Sequence, residues 1–353
     1  MLGNTETTLP SNRDISFDIA KGIAIILMVV GHSGTSNYIK DFIYLFHISA
    51  FYFISGYFFN DKYIGKKKLF IKRKILQLYK PFVIYGIIFL ILSPLFFKLH
   101  IINDFSNKVV LLKDLFGTII FKHVETLLIP FWFLRSLFTV SIIFLFIRWT
   151  FHKYRKKDLF TITSVIILFC IGAFLSIKNI HLPSQIQREI LVLFFYASGF
   201  YIKKYNINFT SNKYIITSLF IALCILAFFF KIDLVGSYFN NIIGLIVSSY
   251  IGIYFLISIS KYISKYNYPS NILSTIGRNT IPILALHFLS FKIITLLIVY
   301  IEGLPIEFLS QWPTLHGEFM KQTYWWLLYS MIGIIVPLLL SFVKNKIGQK
   351  FSK

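Results

Sequence analysis

Apolar residues recur along this 353-residue chain in blocks of about twenty, separated by short polar or basic stretches. About twenty apolar residues is the length an α-helix needs to cross the hydrocarbon core of a bilayer. Inside lipid the backbone must satisfy its own polar groups, and successive apolar blocks do so as helices. Ten blocks stand out, at roughly 15–33, 42–59, 82–98, 130–147, 159–177, 189–202, 214–230, 239–259, 279–300 and 324–343. Only 14% of the residues are charged, against about 25% in soluble domains. The fold class that follows is all-α: a polytopic integral membrane protein with about ten transmembrane helices.

The net charge of +22 invites a nucleic-acid reading, but its distribution argues for topology. Of the 36 Lys and Arg residues, 25 fall in the N-terminal segment through Lys21 and the alternate connections that follow it, and 9 in the other set; Arg135 and Lys292, inside spans, complete the count. The positive-inside rule then places both termini in the cytoplasm of a multi-pass protein of the cell's inner or plasma membrane. The basic excess is accounted for without nucleic acid as a partner. Residues 1–12 read as a loose polar tail. The first helix carries no small-residue cleavage site and is kept. One transmembrane domain fills 1–353, with no appended soluble domain. Cys170 and Cys224 sit in apolar blocks as packing residues, and no disulfide framework or metal motif is visible.

The first block, Asp14 to Ser33, carries Lys21 and His32 eleven residues apart. That is close to three helical turns, so both fall on one face, ~16 Å apart along the axis. Asp18 can pair with Lys21 across one turn. Charge facing lipid is costly, so such a stripe turns toward protein or a watery cavity. The second block holds FHISAFYFISGYFF, residues 46–59, with His47 near the outer surface and Ser55-Gly56 suited to a close helix contact. A basic run, residues 61–82, leads into the third block; it serves orientation and anionic headgroups, and Lys72, Arg73, Lys74 and Lys80 also suit a phosphorylated ligand. The stretch 109–121 has the makings of an interfacial helix. IPFWFLRSLF, residues 129–138, sets Trp132 at headgroup depth. Arg135 there has three readings: snorkelling to lipid phosphate, pairing with Glu125, or gripping an acceptor. Residues 272–291 break at Gly277 and Asn279, have Pro282 in the first turn or as a kink, and carry His287 inside the apolar run, where it needs hydrogen bonds and has a structural and a functional reading. The fifth to eighth blocks read as scaffold. His100, His123, His152, His181 and His316 lie in connections or at edges and receive no role.

Four of these elements, in this order, resemble the membrane acyltransferase-3 family, integral membrane enzymes that mostly O-acetylate sugars. Lys21-x10-His32 is similar to its basic-x10-His pair. Phe46, His47, Phe51, Phe53, Ser55, Gly56, Tyr57 and Phe59 match its second-helix signature. WFL opens the fourth span as in the family. The 272–291 element resembles its L-x-x-IG-x-x-S-x-x-I-Y-x-x-H run, with Thr280 for Ser and Leu284 or Ala285 where Tyr is common. The family's Arg-x-x-Arg becomes Lys74-Ile-Leu-Gln77 with Arg73 one residue earlier. Either Arg73 or Lys74 then takes the arginine's place, Arg73 first because it keeps the guanidinium fork.

The resemblance implies O-acyl transfer from cytoplasmic acetyl-CoA, a co-substrate rather than a bound cofactor, to a sugar hydroxyl of a surface polysaccharide or lipid-linked precursor. Such chemistry needs a base for the hydroxyl and stabilisation of the thioester oxyanion. His32 is the candidate base or acyl-carrying nucleophile, with Lys21 toward the donor. His47 and His287 are candidates to orient His32 or donate to the oxyanion, and Asp18 supports Lys21. Arg73 and Lys74 are donor candidates; Arg135, Trp132 and Glu125 are acceptor candidates. The rival function is a transporter or flippase of a lipid-linked sugar, which needs no acetyl-CoA.

Overall fold

A computed structural model describes residues 14–103, 108–122, 124–315 and 324–351. The expectations for the 1–12 tail, His123 and His316 fall outside them. The fourteen helices among the described residues are α1 (Ser16–His32), α2 (Asn37–Tyr44), α3 (His47–Tyr57), α4 (Lys67–Lys74), α5 (Lys80–Lys98), α6 (Lys108–Ile119), α7 (Trp132–Phe151), α8 (Lys157–Ile177), α9 (Ile186–Lys204), α10 (Lys213–Phe229), α11 (Ile242–Ile263), α12 (Asn267–Arg278), α13 (Thr280–Ile301) and α14 (Trp325–Phe351). The described strands are one antiparallel pair, β1 (Ile232–Asp233) and β2 (Tyr238–Phe239). Six helical stretches are long and apolar enough to cross a membrane: Lys67–Lys98, Thr126–Phe151, Lys157–Ile177, Ile242–Ile263, Thr280–Ile301 and Trp325–Ile347. The protein is an all-α, multi-pass membrane protein. The other four expected blocks also form helices. Those of α1 and α10 have 17 residues each, α9 carries charge at both ends, and the 42–59 block is split into α2 and α3.

Glycines set the closest helix crossings. A side-chain carbon at Gly56 would lie 1.8 Å from the Tyr196 carbonyl oxygen, and one at Gly199 2.0 Å from that of Phe53. Helices α3 and α9 therefore meet backbone to backbone, as small residues permit in membranes. Gly22 and Gly277 do the same for α1 and α12: their added carbons would fall 2.1 Å from Leu273 O and 1.8 Å from Asp18 O. The break between α12 and α13 falls at Asn279, whose side-chain amide donates to Thr275 O (2.8 Å) and accepts from Ser341 Oγ (2.7 Å).

One end of the bundle gathers the basic connections and is called the basic end below. There Arg148, fully buried, binds Asp61, Asp158 (2.8 Å) and Thr161 (3.3 Å), and Lys204 adds a further bond to Asp158. This clasp ties α7, α8 and α9 to the connection after α3. Arg148 reads in the sequence as one more loop cation; three acceptors within reach make it a structural residue.

The 109–121 stretch departs from the expected interfacial helix. Helix α6 runs back along α5: Thr118 packs into the space left by Gly86, Tyr79 OH donates to Ile119 O (2.7 Å), and the Phe82 and Phe121 rings lie 4.4 Å apart. Its sequence is apolar around most of its circumference, and Gly86 offers a groove that a flat surface helix would leave empty. The chain then returns through a 3₁₀ turn, Thr126–Phe131, that buries Leu127, Leu128, Pro130 and Phe131. This turn delivers Trp132 to the interior.

Candidate functional site

Helices α1, α3, α4, α7 and α13 enclose a cavity of about 880 Å³. Its lining on α1 runs from Asp18 to His32, some 21 Å at the helical rise. At the basic end it is lined by Asp14, Asp18, Lys21, Arg73, Lys74 and Arg278; at the opposite end by His32, Tyr44, His47, Trp132 and Val235. Apolar side chains such as Ile25, Met28, Phe51 and Leu137 form the stretch between. The polar face of α1 thus opens onto a cavity, as the cost of charge in lipid requires.

At the far end, His32 Nδ1 lies 3.1 Å from His287 Nε2, and the rings are near-parallel, 15° apart in plane. His287 is fully buried, and its Nδ1 lies 3.0 Å from Ile283 O and 3.1 Å from Leu284 O. Carbonyl oxygens only accept, so this Nδ1 carries the hydrogen, and in neutral His287 Nε2 holds a lone pair. His32 Nδ1 must then donate to it, which leaves His32 Nε2 as a lone pair for a cavity-bound group. The assignment follows from the partners of each nitrogen. Phe288 packs on both imidazoles (5.1 and 4.2 Å), with Trp312 edge-on to it at 5.1 Å. His47 donates from Nδ1 to Ile43 O (2.8 Å) across the α2–α3 break, so its Nε2 also presents a lone pair. Neutral His47 therefore presents an acceptor toward the cavity and neutral His287 an acceptor toward His32, so neither offers a hydrogen to a group in the cavity, and His287 is the one of the two in contact with His32.

At the basic end, Lys21 Nζ pairs with Asp18 Oδ1 at 2.7 Å across one helical turn. Arg73 donates to the Tyr63 hydroxyl, and Lys74 Nζ to Ser55 Oγ at 3.2 Å. Directly after them the helix widens into a π-helical turn, Ile75–Tyr79, before continuing as α5. Such turns are frequent at functional sites. Arg73, Lys74 and Gln77 all line the cavity, so the departure from the family's arginine spacing leaves both cations on the same wall.

Of the acceptor candidates, Trp132 lines the cavity, whereas Arg135 and Glu125 are half-buried and lie outside its lining. Trp132 turns inward rather than to a headgroup belt: the Arg188 guanidinium covers its ring at 4.1 Å. Arg188, 2% exposed, also donates to Glu189 Oε1 (2.8 Å) and Val235 O (3.0 Å). Ser136 donates to the other Glu189 oxygen and bonds Tyr52 OH. This network fixes Trp132 and the β1–β2 connection over the far end. It corrects the assignment of α9 to featureless scaffold. The signal was present in IQREILVLFF, residues 186–195: two charges opening an apolar run deserve a partner search. Arg278 was counted only as a topology charge. Among the described residues no group of three His, Cys, Asp or Glu side chains could hold a metal ion.

The chain is thus a bundle with membrane-length helices around a cavity that has a contacting histidine pair at one end and cations at the other. Residues 14–344 match the family model described as an acyltransferase domain, that of acyltransferase-3. The chain belongs to this family. No curated protein and no solved structure matches it.

Proposed function

We propose that this acyltransferase carries an acetyl group from acetyl-CoA, entering from the cytoplasm at the basic end, to a sugar hydroxyl held at the His32 end. The acceptor is a surface polysaccharide or its lipid-linked precursor, and the protein sits in the inner or plasma membrane. The single observation that carries the reading is one cavity joining uncompensated cations to a histidine with a free lone pair. Its length supports the donor. The arm between the pyrophosphate and the sulfur of CoA holds about twelve bonds, the length of roughly four extended residues, or ~14 Å. Lys21 and His32 stand ~16 Å apart on α1. Phosphates held near Lys21, Arg73 and Lys74 therefore bring the thioester to His32.

In this mechanism His32 Nε2 takes the proton of the sugar hydroxyl as its oxygen attacks the thioester carbonyl. The imidazolium keeps its Nδ1 hydrogen bond to His287 Nε2, which becomes charge-assisted and stronger. Of the groups lining that end, Tyr44 OH and Trp132 Nε1 carry a hydrogen to give to the oxyanion. Collapse breaks the C–S bond, and the leaving thiolate takes the proton from His32, giving free CoA and the acetyl ester. Lys21, held by Asp18, serves the donor side.

Mass spectrometry of surface polysaccharide from cells with and without the protein tests the proposal. The expected difference is one acetyl group per modified residue, with CoA released in membranes supplied with acetyl-CoA. Glycan movement without consumption of acetyl-CoA would instead identify a transporter and end the acyl-transfer reading.

A further inference from the structure

Among the described residues, the ion pairs engage Lys21 with Asp18, Arg148 with Asp61 and Asp158, Lys204 with Asp158, Arg188 with Glu189, and Lys231 with Asp41. Three cations lining the cavity have only neutral partners. Arg73 holds Tyr63 OH, Lys74 holds Ser55 Oγ, and Arg278 donates from Nε to Ser274 O (3.2 Å) and from Nη2 to Ser274 Oγ (3.0 Å). The two carboxylates in the same lining are engaged, Asp18 with Lys21 and Asp14 as acceptor of the Ser16 backbone N–H (2.9 Å). With four cations (Lys21, Arg73, Lys74 and Arg278) against two carboxylates, the lining keeps an excess of positive charge that calls for an anion from outside.

Arg278 is exposed and lines the same cavity as Arg73 and Lys74, from α12 rather than α4. The bonds to Ser274 fix one edge of its guanidinium and leave Nη1 for a ligand. Its depth is set by its neighbour Gly277, whose added side-chain carbon would lie 1.8 Å from Asp18 O and 2.9 Å from Gly22 N. Arg278 therefore stands level with Asp18–Gly22, which is 15–21 Å along α1 from His32. That interval matches the ~14 Å arm that separates a CoA pyrophosphate from its sulfur.

We propose that Arg278 is a donor-binding residue that clamps the pyrophosphate of the acyl-CoA against Arg73 and Lys74. The proposal rests on acetyl-CoA being the donor at this cavity. A phosphate could equally come from an anionic lipid headgroup at the same membrane face, and the two sources separate by experiment. Purified protein in nanodiscs of phosphatidylcholine alone is titrated calorimetrically with CoA and with pantetheine, which lacks every phosphate. Arg278→Gln should weaken CoA binding ~10- to 100-fold, the range for losing a hydrogen bond to a charged group. Pantetheine binding should not change, and Arg278→Lys should recover part of the CoA affinity.

Equal CoA affinity in wild type and Arg278→Gln overturns the proposal while leaving the donor reading intact. A wild type that binds no CoA sinks the donor reading and the clamp with it. Unchanged CoA affinity, with reduced retention of phosphatidylglycerol by the variant in mixed nanodiscs, assigns the residue to lipid and also overturns the clamp. If Arg278→Gln fails to insert, Arg278→Lys carries the same series, and an equal loss for pantetheine and CoA counts against phosphate recognition.

Discussion

The tautomer chain at the far end of the cavity makes a prediction that separates a positioning residue from a packing one. Replacing His287 by Leu removes the acceptor of the His32 Nδ1–H, 3.1 Å away. The stranded donor costs ~1–3 kcal/mol unless the ring flips or changes tautomer. Either escape moves the lone pair away from the proposed acceptor hydroxyl. At 1.36 kcal/mol per tenfold, turnover should fall ~5- to 150-fold. His287→Gln offers an amide oxygen to the same hydrogen and should recover a good part of that loss. The KM for acetyl-CoA should stay unchanged in both variants, because the phosphate end lies some 16 Å away along the helix. His32→Ala and His32→Gln should lose ~100- to 10,000-fold, as expected for a missing general base. The assay is release of free thiol from acetyl-CoA, normalised to membrane-inserted protein, with glycan acetylation followed by mass spectrometry. Full turnover by His287→Leu, or equal losses for His287→Leu and His287→Gln, would refute the tautomer argument. Substantial turnover by His32→Gln would remove His32 from the base role altogether.

Three further outcomes follow from the packing and the charge pattern. Gly56→Val inserts a branched side chain where the Tyr196 carbonyl stands 1.8 Å from the first added carbon, so folded protein recovered in detergent should drop sharply, a cost of ~3 kcal/mol or more; wild-type thermal stability would show that the α3–α9 crossing is not fixed as described. Arg148→Met leaves Asp61 and Asp158 without their shared cation, and because both are about a third exposed (33% and 29%) the loss should be ~2 kcal/mol rather than the 3–5 of a sealed pair; adding Asp61→Asn and Asp158→Asn should restore part of it, with turnover per folded molecule unchanged throughout. In a chain with Cys170 and Cys224 replaced by Ser, a cysteine at Lys67 should resist an impermeant thiol reagent in intact cells and one at Glu307 should react; the reverse labelling would invert the membrane orientation and with it the donor side.

What the sequence disclosed depended on which forces are local. Helix length and apolar content are local, so the membrane class and the helical character of all ten blocks could be read directly. The face shared by Lys21 and His32 is also local, since it needs only 3.6 residues per turn. The partner of His32 is not. His287 lies 255 residues away, and nothing in either segment specifies that two rings will meet. Arg188 and Glu189 were hidden differently: a loop boundary drawn at 188 split the pair between a connection and a span. Arg148 and Arg278 both belong to basic connections, where the positive-inside pattern accounts for either charge equally. One is a sealed structural cation and the other a cavity cation, and only three-dimensional partners tell them apart. The path of 109–121 depended on Gly86, a groove on another helix that no property of the segment announces.

The two ends of the cavity are linked through one rigid pair of elements. Helix α1 carries Lys21 and His32, and α12–α13 carry Arg278 and His287. At Gly22 and Gly277 the two elements touch backbone to backbone, so neither slides without colliding with a carbonyl. Toward the far end the two imidazoles join them again. The interval between Arg278 and His32, the proposed clamp and base, is therefore built into a single doubly fastened strut. The opposite wall, Lys67–Lys98, turns much of its surface outward, with Ile84, Ile88, Ile91 and Leu95 exposed, and it bends through a π turn beside Arg73 and Lys74. If the donor binds as proposed, α1 with α12–α13 sets the distance over which the acyl group is delivered.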